Sequence, residues 1–141
     1  MNARLAHGSV AWFEMVGRLM CDAAARAALP AGFHLSLVER YTDGALLADG
    51  LVQGLRFEIR GGKPSFRVGA HPSEAAETAD ITIELTTAAS RELNTLHGAD
   101  PRFHAALARL QASGAMRIHG DLARLGAWFG GVHDPIVDRT A

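Results

Sequence analysis

The chain holds a single cysteine, Cys21, so no disulfide can form within it, and one thiol among apolar neighbours fits a reducing compartment. A cytoplasmic location is the expectation. An excess of one charge is also missing. Fourteen Lys and Arg stand against 15 Asp and Glu, a formal balance of −1, without the basic surplus that neutralises phosphates, so nucleic acid is not an expected partner. Long apolar runs are absent too. The longest stretch free of Asp, Glu, Lys and Arg, from Ala27 to Val38, contains Pro30, Gly32 and His34 and falls short of the roughly 18 residues that a membrane-spanning helix needs. The N-terminal segment interrupts its apolar residues with Glu14 and Arg18, and no secretory signal is read there.

What is present suits one folded domain, 1–141. The chain has 141 residues, 48% apolar and 21% charged, a composition that favours neither disorder nor a fibre. It shows no internal repeat, low-complexity tract or linker.

A first helix is predicted over 9–28. The Ser9 hydroxyl can cap free backbone N–H groups, and Trp12, Val16, Leu19, Ala23 and Ala27 recur at steps of three or four, with Phe13 and Met20 widening the stripe. Pro30 and Gly32 close it. Alternation then takes over: Phe33, Leu35, Leu37 and Tyr41 share one face of a strand, opposite His34, Ser36, Val38 and Arg40. Asp43-Gly44 and Asp49-Gly50 signal turns. Leu55, Phe57 and Ile59 mark a second strand, and Gly61-Gly62 turns the chain into a third, whose Pro64 favours an edge. A polar loop, His71 to Thr78, precedes a fourth strand built on Ile81, Ile83 and Leu85.

Thr86 or Thr87 caps a helix reaching about His97, and Asp100-Pro101 starts another, with Phe103, Ala106, Leu107 and Leu110 on its buried face. AMRIH makes a last strand. Gly120-Asp121 leads into a final helix with Leu122, Leu125, Gly126 and Phe129 on one face, ended by Gly130-Gly131, and residues 131–141 form an irregular tail. This order predicts an α+β domain, a mostly antiparallel sheet with helices on one face. The sheet is mixed if the strands before and after the helix pair run parallel through a crossover.

Catalytic and metal chemistry find little support. Cys21 lies beside Asp22, which raises rather than lowers a thiol pKa. No two histidines have the i, i+4 helical spacing and no HExxH occurs, so no metal is expected. Asp43, Asp49, Asp80, Asp121 and Asp134 adjoin turns or strand starts, where carboxylates cap free N–H groups. The glycine pairs lack a phosphate-cradling pattern, and no cofactor is expected. The large apolar residues say more. Several stand beside the main buried stripes, and Trp128 is turned about 120° from the Leu122 and Leu125 face. Core plus a dimer surface explains them, and so do the walls of a ligand cavity.

Two segments resemble the sterol carrier protein 2 sterol-binding domain family. Ala79, Asp80, Ile81, Thr82 and Ile83 match its Ala-Asp-apolar-Thr-apolar strand, which leads into a capped helix. Gly114, Met116, Ile118, Gly120 and Asp121 match its Gly-x-apolar-x-apolar-x-Gly-Asp strand before a C-terminal helix. The meander DGLVQGLRFEIRGGKPSFRV fits as well, so the likeness covers about 30–130. It implies an α+β domain (α/β by some schemes) with a five-stranded sheet covered by helices around a hydrophobic cavity. It also implies a non-enzymatic carrier or presenter of sterol, fatty acid, acyl-CoA or isoprenoid lipid. Arg139-Thr140-Ala141 departs from the peroxisomal ending of eukaryotic members, and VHDPIVDRTA replaces the Met-rich last segment of animal ones.

On that reading Trp12, Phe13, Met15, Phe103, Met116, Leu125, Trp128 and Phe129 are the expected walls or gate. Arg117 and His119, opposite Met116 and Ile118 on the last strand, are either head-group contacts or ordinary surface residues. A dry apolar void of about 300 Å³ would cost about 7 kcal/mol, so such a pocket should hold ligand or water. Two other readings stay open. One is an interaction module or homodimer that uses Trp128 and Phe129 as a patch; the other is an enzyme, which would require a carboxylate or Tyr41 deep in the pocket with a perturbed pKa.

Overall fold

The computed structural model describes residues 3–141. Ser9 opens the first helix as its spacing predicts: its side chain accepts a hydrogen bond from the Trp12 amide at 3.1 Å, and α1 runs Val10–Arg26. Three strands follow, β1 (Leu35–Tyr41), β2 (Val52–Arg60) and β3 (Lys63–Ala70). The β2–β3 turn is made by Gly61 and Gly62, both at positive φ (57° and 75°), as a right-twisted hairpin demands. Then come β4 (Ile81–Leu85), α2 (Thr87–Leu93), α3 (Pro101–Ser113), β5 (Met116–His119), α4 (Ala127–Gly130) and α5 (His133–Asp138). Thr86 and Asp100 cap α2 and α3 through their side chains, and Gly114 ends α3 in the left-handed region.

The five strands form one sheet in the order β3-β2-β1-β4-β5, with Pro64 on an edge strand as expected. The sheet is mixed, but the parallel pair is β1 with β4, whereas β4 and β5 run antiparallel. Two helices between β4 and β5 explain the correction. An out-and-back pair returns the chain to the end it left, where the Thr86 amide donates to the Ala115 carbonyl at 3.0 Å, so the next strand must run back. The polar segment 71–80 instead carries the chain from β3 across to a position beside β1.

Register puts Leu35, Leu37, Glu39 and Tyr41 of β1 on the face beneath the helices. They lie level with Ile59, Phe57 and Leu55 of β2 and with Ile81, Ile83 and Leu85 of β4. The reverse face is charged. Arg40 meets Glu84 at 3.2 Å, and Arg56 and Arg67 converge on Glu77 at 3.4 and 2.7 Å. On the helical side α1 packs on β3 and β2. A Cβ at Gly17 would stand 2.3 Å from the Phe66 ring, so glycine there sets the approach of helix to sheet.

The C-terminal region differs from its sequence pattern. The single final helix becomes a 3-10 turn, Leu122–Leu125, and the short α4, because Gly126 takes φ 107° between them. Nor is the tail irregular: α5 forms within it and buries Ile136 and Val137. Thr140 then bridges to Leu5, pinning both ends of the described chain together.

Candidate functional site

Between the inward face of the sheet and the helices lies a hollow of about 390 Å³. Leu37, Leu55, Phe57, Ile83, Leu85, Met116 and Ile118 form its floor, and every one of them is an inward position fixed by strand alternation. The helices supply Val16 and Met20 from α1, Leu93 from α2, and Phe103 and Leu107 from α3. The C-terminal segment lines a further side with Leu122, Phe129, Val132 and Ile136, and the hollow stays partly open to solvent.

Five polar residues interrupt this lining: Glu39, Ser90, Asn94, Gln111 and His133. Most are already engaged. The Ser90 hydroxyl shares hydrogen bonds with the Tyr41 hydroxyl at 2.6 Å and His7 Nε2 at 3.0 Å, and the Asn94 amide donates to the Ser90 carbonyl at 2.8 Å. His133 Nε2 lies 2.7 Å from the Leu96 carbonyl, and Gln111 is exposed. Glu39 is different: among the described residues nothing hydrogen-bonds or ion-pairs with its carboxyl, which faces the hollow between Leu55 and Ile83.

The electrostatics follow from this burial. Desolvation pushes the Glu39 carboxyl up to about 7, because an apolar wall solvates a carboxylate poorly. Burial, and then the charge of Glu39, raise the Tyr41 phenol further above its ordinary range. Burial and the nearby Arg91 lower His7 to about 4, so its imidazole is neutral at pH 7.

Of the eight residues expected to form walls, Phe103, Met116 and Phe129 line the hollow, and five do not. Trp12, Phe13 and Met15 are fully buried elsewhere in the core. Trp12 donates from Nε1 to the Thr140 hydroxyl at 2.9 Å, and Phe13 packs on Tyr41 with ring centroids 5.3 Å apart. Leu125 is also core. Trp128 finds its cover on Phe57, centroid to centroid 5.7 Å, and thus backs a wall residue instead of being one. Helix phase shows that a side chain is buried, not what it is buried against.

Arg117 and His119 point to the reverse face, away from the hollow, and His119 Nε2 lies 3.5 Å from Glu84. There Glu74, Glu84 and His119 bring donor atoms within 4.8 Å of one another. The Arg40 guanidinium on Glu84 already supplies the positive charge that a metal ion would bring. The residue missed in the sequence is Glu39. Strict alternation assigns it to the face of Leu37 and Tyr41, and that parity was the available signal.

Comparison with solved structures decides the fold. A crystal structure of sterol carrier protein 2 matches over 95% of this chain and 98% of its own, at 16% identity and a TM-score of 0.51. The chain has the sterol carrier protein 2 fold. Also similar are a ubiquinone synthesis protein, UbiJ-SCP2 (15% identity, 92% and 90% of the two chains, TM-score 0.47), and the inverting sec-alkylsulfatase Pisa1 from Pseudomonas sp. (24% identity, TM-score 0.45). The chain is covered over 84% by the alkylsulfatase match but spans only 15% of that enzyme's length. No protein-family model and no curated sequence matches. Within the sterol carrier protein 2 fold, the hollow lies beneath the helices, on the apolar face of the five-stranded sheet.

Proposed function

We propose that this chain binds an apolar ligand in the hollow and carries or presents it unchanged, in the cytoplasm. One observation carries the reading: about 390 Å³ of space walled almost wholly by aliphatic and aromatic side chains. Sealed and dry, a void of that size would cost about 9 kcal/mol at roughly 24 cal/mol per Å³, within the ~5–15 kcal/mol that holds a whole domain together; partly open, it sets this apolar lining against water instead. A lipid relieves that cost and gains the burial of its own chain. Phe103, Met116 and Phe129 are the aromatic and thioether contacts of such a cargo, with the aliphatic floor beneath it. A sterol, a fatty acyl chain and an isoprenoid all meet the apolar requirement.

Two other readings are weaker. Trp128 and Phe129 make a poor interaction patch because both are half-buried, and among the described residues the exposed large apolar side chains are Val10 and Leu46, on separate segments. For catalysis, Glu39 meets the requirement set by the sequence, a carboxyl in the pocket with a raised pKa. A reaction needs in addition a second group to stabilise charge that develops on a substrate. Tyr41 is committed to Ser90 and does not line the hollow.

The test is to purify the protein without detergent, count bound molecules by native mass spectrometry and identify them in an organic extract. A lipid at one per chain is the expected result. No bound lipid, together with no tryptophan-fluorescence response to sterols, fatty acids and quinones, would overturn carriage.

A further inference from the structure

Apolar carriage does not require a carboxyl in the hollow, yet one is built into it at the middle of the central strand. β1 has β2 on one side and β4 on the other, so a side chain on its inward face is walled laterally by both neighbours, here Leu55 and Ile83. An aliphatic residue would complete that face. Glu39 places two acceptor oxygens there instead, with no donor from the protein to meet them among the described residues. The other polar lining groups offer a ligand less: Ser90, Asn94 and His133 are held by internal hydrogen bonds, and Gln111 is exposed.

Resting on the carriage reading, we propose that Glu39 receives the polar end of the cargo, and that the hollow selects apolar ligands ending in an alcohol or phenol over those ending in a carboxylate. An ionised carboxylate only accepts hydrogen bonds. A hydroxyl supplies the missing donor, and its bond to a charged oxygen is of the stronger, charge-assisted kind, formed at a half-buried carboxyl against an apolar wall. A ligand carboxylate brings a second negative charge to the same low-dielectric site, and one of the two must take up a proton before both can stay. A purely hydrocarbon ligand leaves Glu39 desolvated and unmatched. A cationic head group would have to shed its own hydration to form a single buried ion pair.

The test uses delipidated full-length protein at pH 8, with dodecanol and dodecanoate as probes and calorimetric titration as the readout, for wild type and for Glu39→Gln. Wild type is expected to bind dodecanol at least about tenfold more tightly than dodecanoate, the span of one charge-assisted hydrogen bond. In Glu39→Gln, whose amide can donate to a carboxylate, the ratio is expected to fall to about twofold or below. Equal wild-type affinities, or an unchanged ratio in the variant, would overturn the selection while leaving carriage standing. If neither probe binds either protein, the selection is overturned, and carriage is decided separately by the lipid found in the organic extract. The wild-type ratio decides the matter even if the variant folds poorly.

Discussion

Replacing Glu39 by glutamine in the delipidated protein is expected to raise stability at pH 8 and leave it almost unchanged at pH 4. Burial moves the carboxyl from its ordinary 4.5 to about 7 in the folded state. Between those values the folded chain binds the proton and the unfolded chain has released it, so wild-type stability falls as pH rises through that window. Its contribution is complete below the window and lost above it. A displacement of this size corresponds to about 3 kcal/mol at about 1.4 kcal/mol per pH unit, and glutamine, neutral throughout, escapes the loss. His7 acts in the opposite direction, since a folded value of about 4 against an ordinary 6.5 makes stability rise with pH through that range. Tyr41 stays protonated across the window. Taking the difference between variant and wild type at each pH cancels His7 and isolates Glu39. Urea unfolding at pH 4, 5, 6, 7 and 8 measures it. A gap near zero at pH 4 that opens to about 3 kcal/mol by pH 8 is the expected outcome. A gap that does not change with pH, or that closes as pH rises, would refute the placement of this carboxyl in an apolar wall.

Three further substitutions probe the packing and the hollow. Gly17→Ala sets a Cβ against the Phe66 ring and should lower stability by about 1–3 kcal/mol despite the better helix propensity of alanine; thermal unfolding reads it, and a higher melting temperature would contradict the close approach of α1 to β3. Leu107→Trp should fill part of the hollow, weakening dodecanol binding by at least about tenfold while the melting temperature holds or rises; a marked loss of stability would show that the space is not there. Trp128→Ala should cost about 2–3 kcal/mol through lost packing on Phe57, yet shift dodecanol affinity by no more than about twofold. Affinity lost at unchanged stability would restore Trp128 to the wall.

Much of the fold was legible because local chemistry and position agreed. Ser9, Thr86 and Asp100 each cap the helix that their spacing announced, and Gly61-Gly62 makes the hairpin turn it signalled. Sheet connectivity was harder to read. A mixed sheet was expected, but alternation fixes which way a side chain points and says nothing of which strand lies alongside, so the parallel pair was sought at β4 and β5 instead of β1 and β4. The C-terminal helix misled for a local reason: Leu122, Leu125 and Phe129 keep a helical period across Gly126, although that glycine takes a backbone conformation no helix contains. The short α5 lacks a capping side chain and is held by burial of Ile136 and Val137, a tertiary cause with no local signature.

For the site, periodicity sorted residues into buried and exposed but could not separate core from cavity. Trp12 and Phe103 both lie on buried stripes, and only the crossing of helices over the sheet makes one of them core and the other wall. Glu39 escaped for a different reason. A charged residue inside a short alternating run is ordinarily assigned outward, and its inward parity acquires meaning only once β1 is known to be central, with Leu55 and Ile83 on either side. That knowledge changes what the residue implies. At an exposed position a carboxylate is nearly free of energetic consequence; here it removes about 3 kcal/mol at neutral to alkaline pH, a large share of the stability of a domain this size. No contact among the described residues returns that energy, and leucine would complete the apolar face. A group that the fold does not need, placed where the fold is least tolerant of it and aimed into the apolar hollow beneath the helices, has its energetic counterpart in whatever enters that hollow.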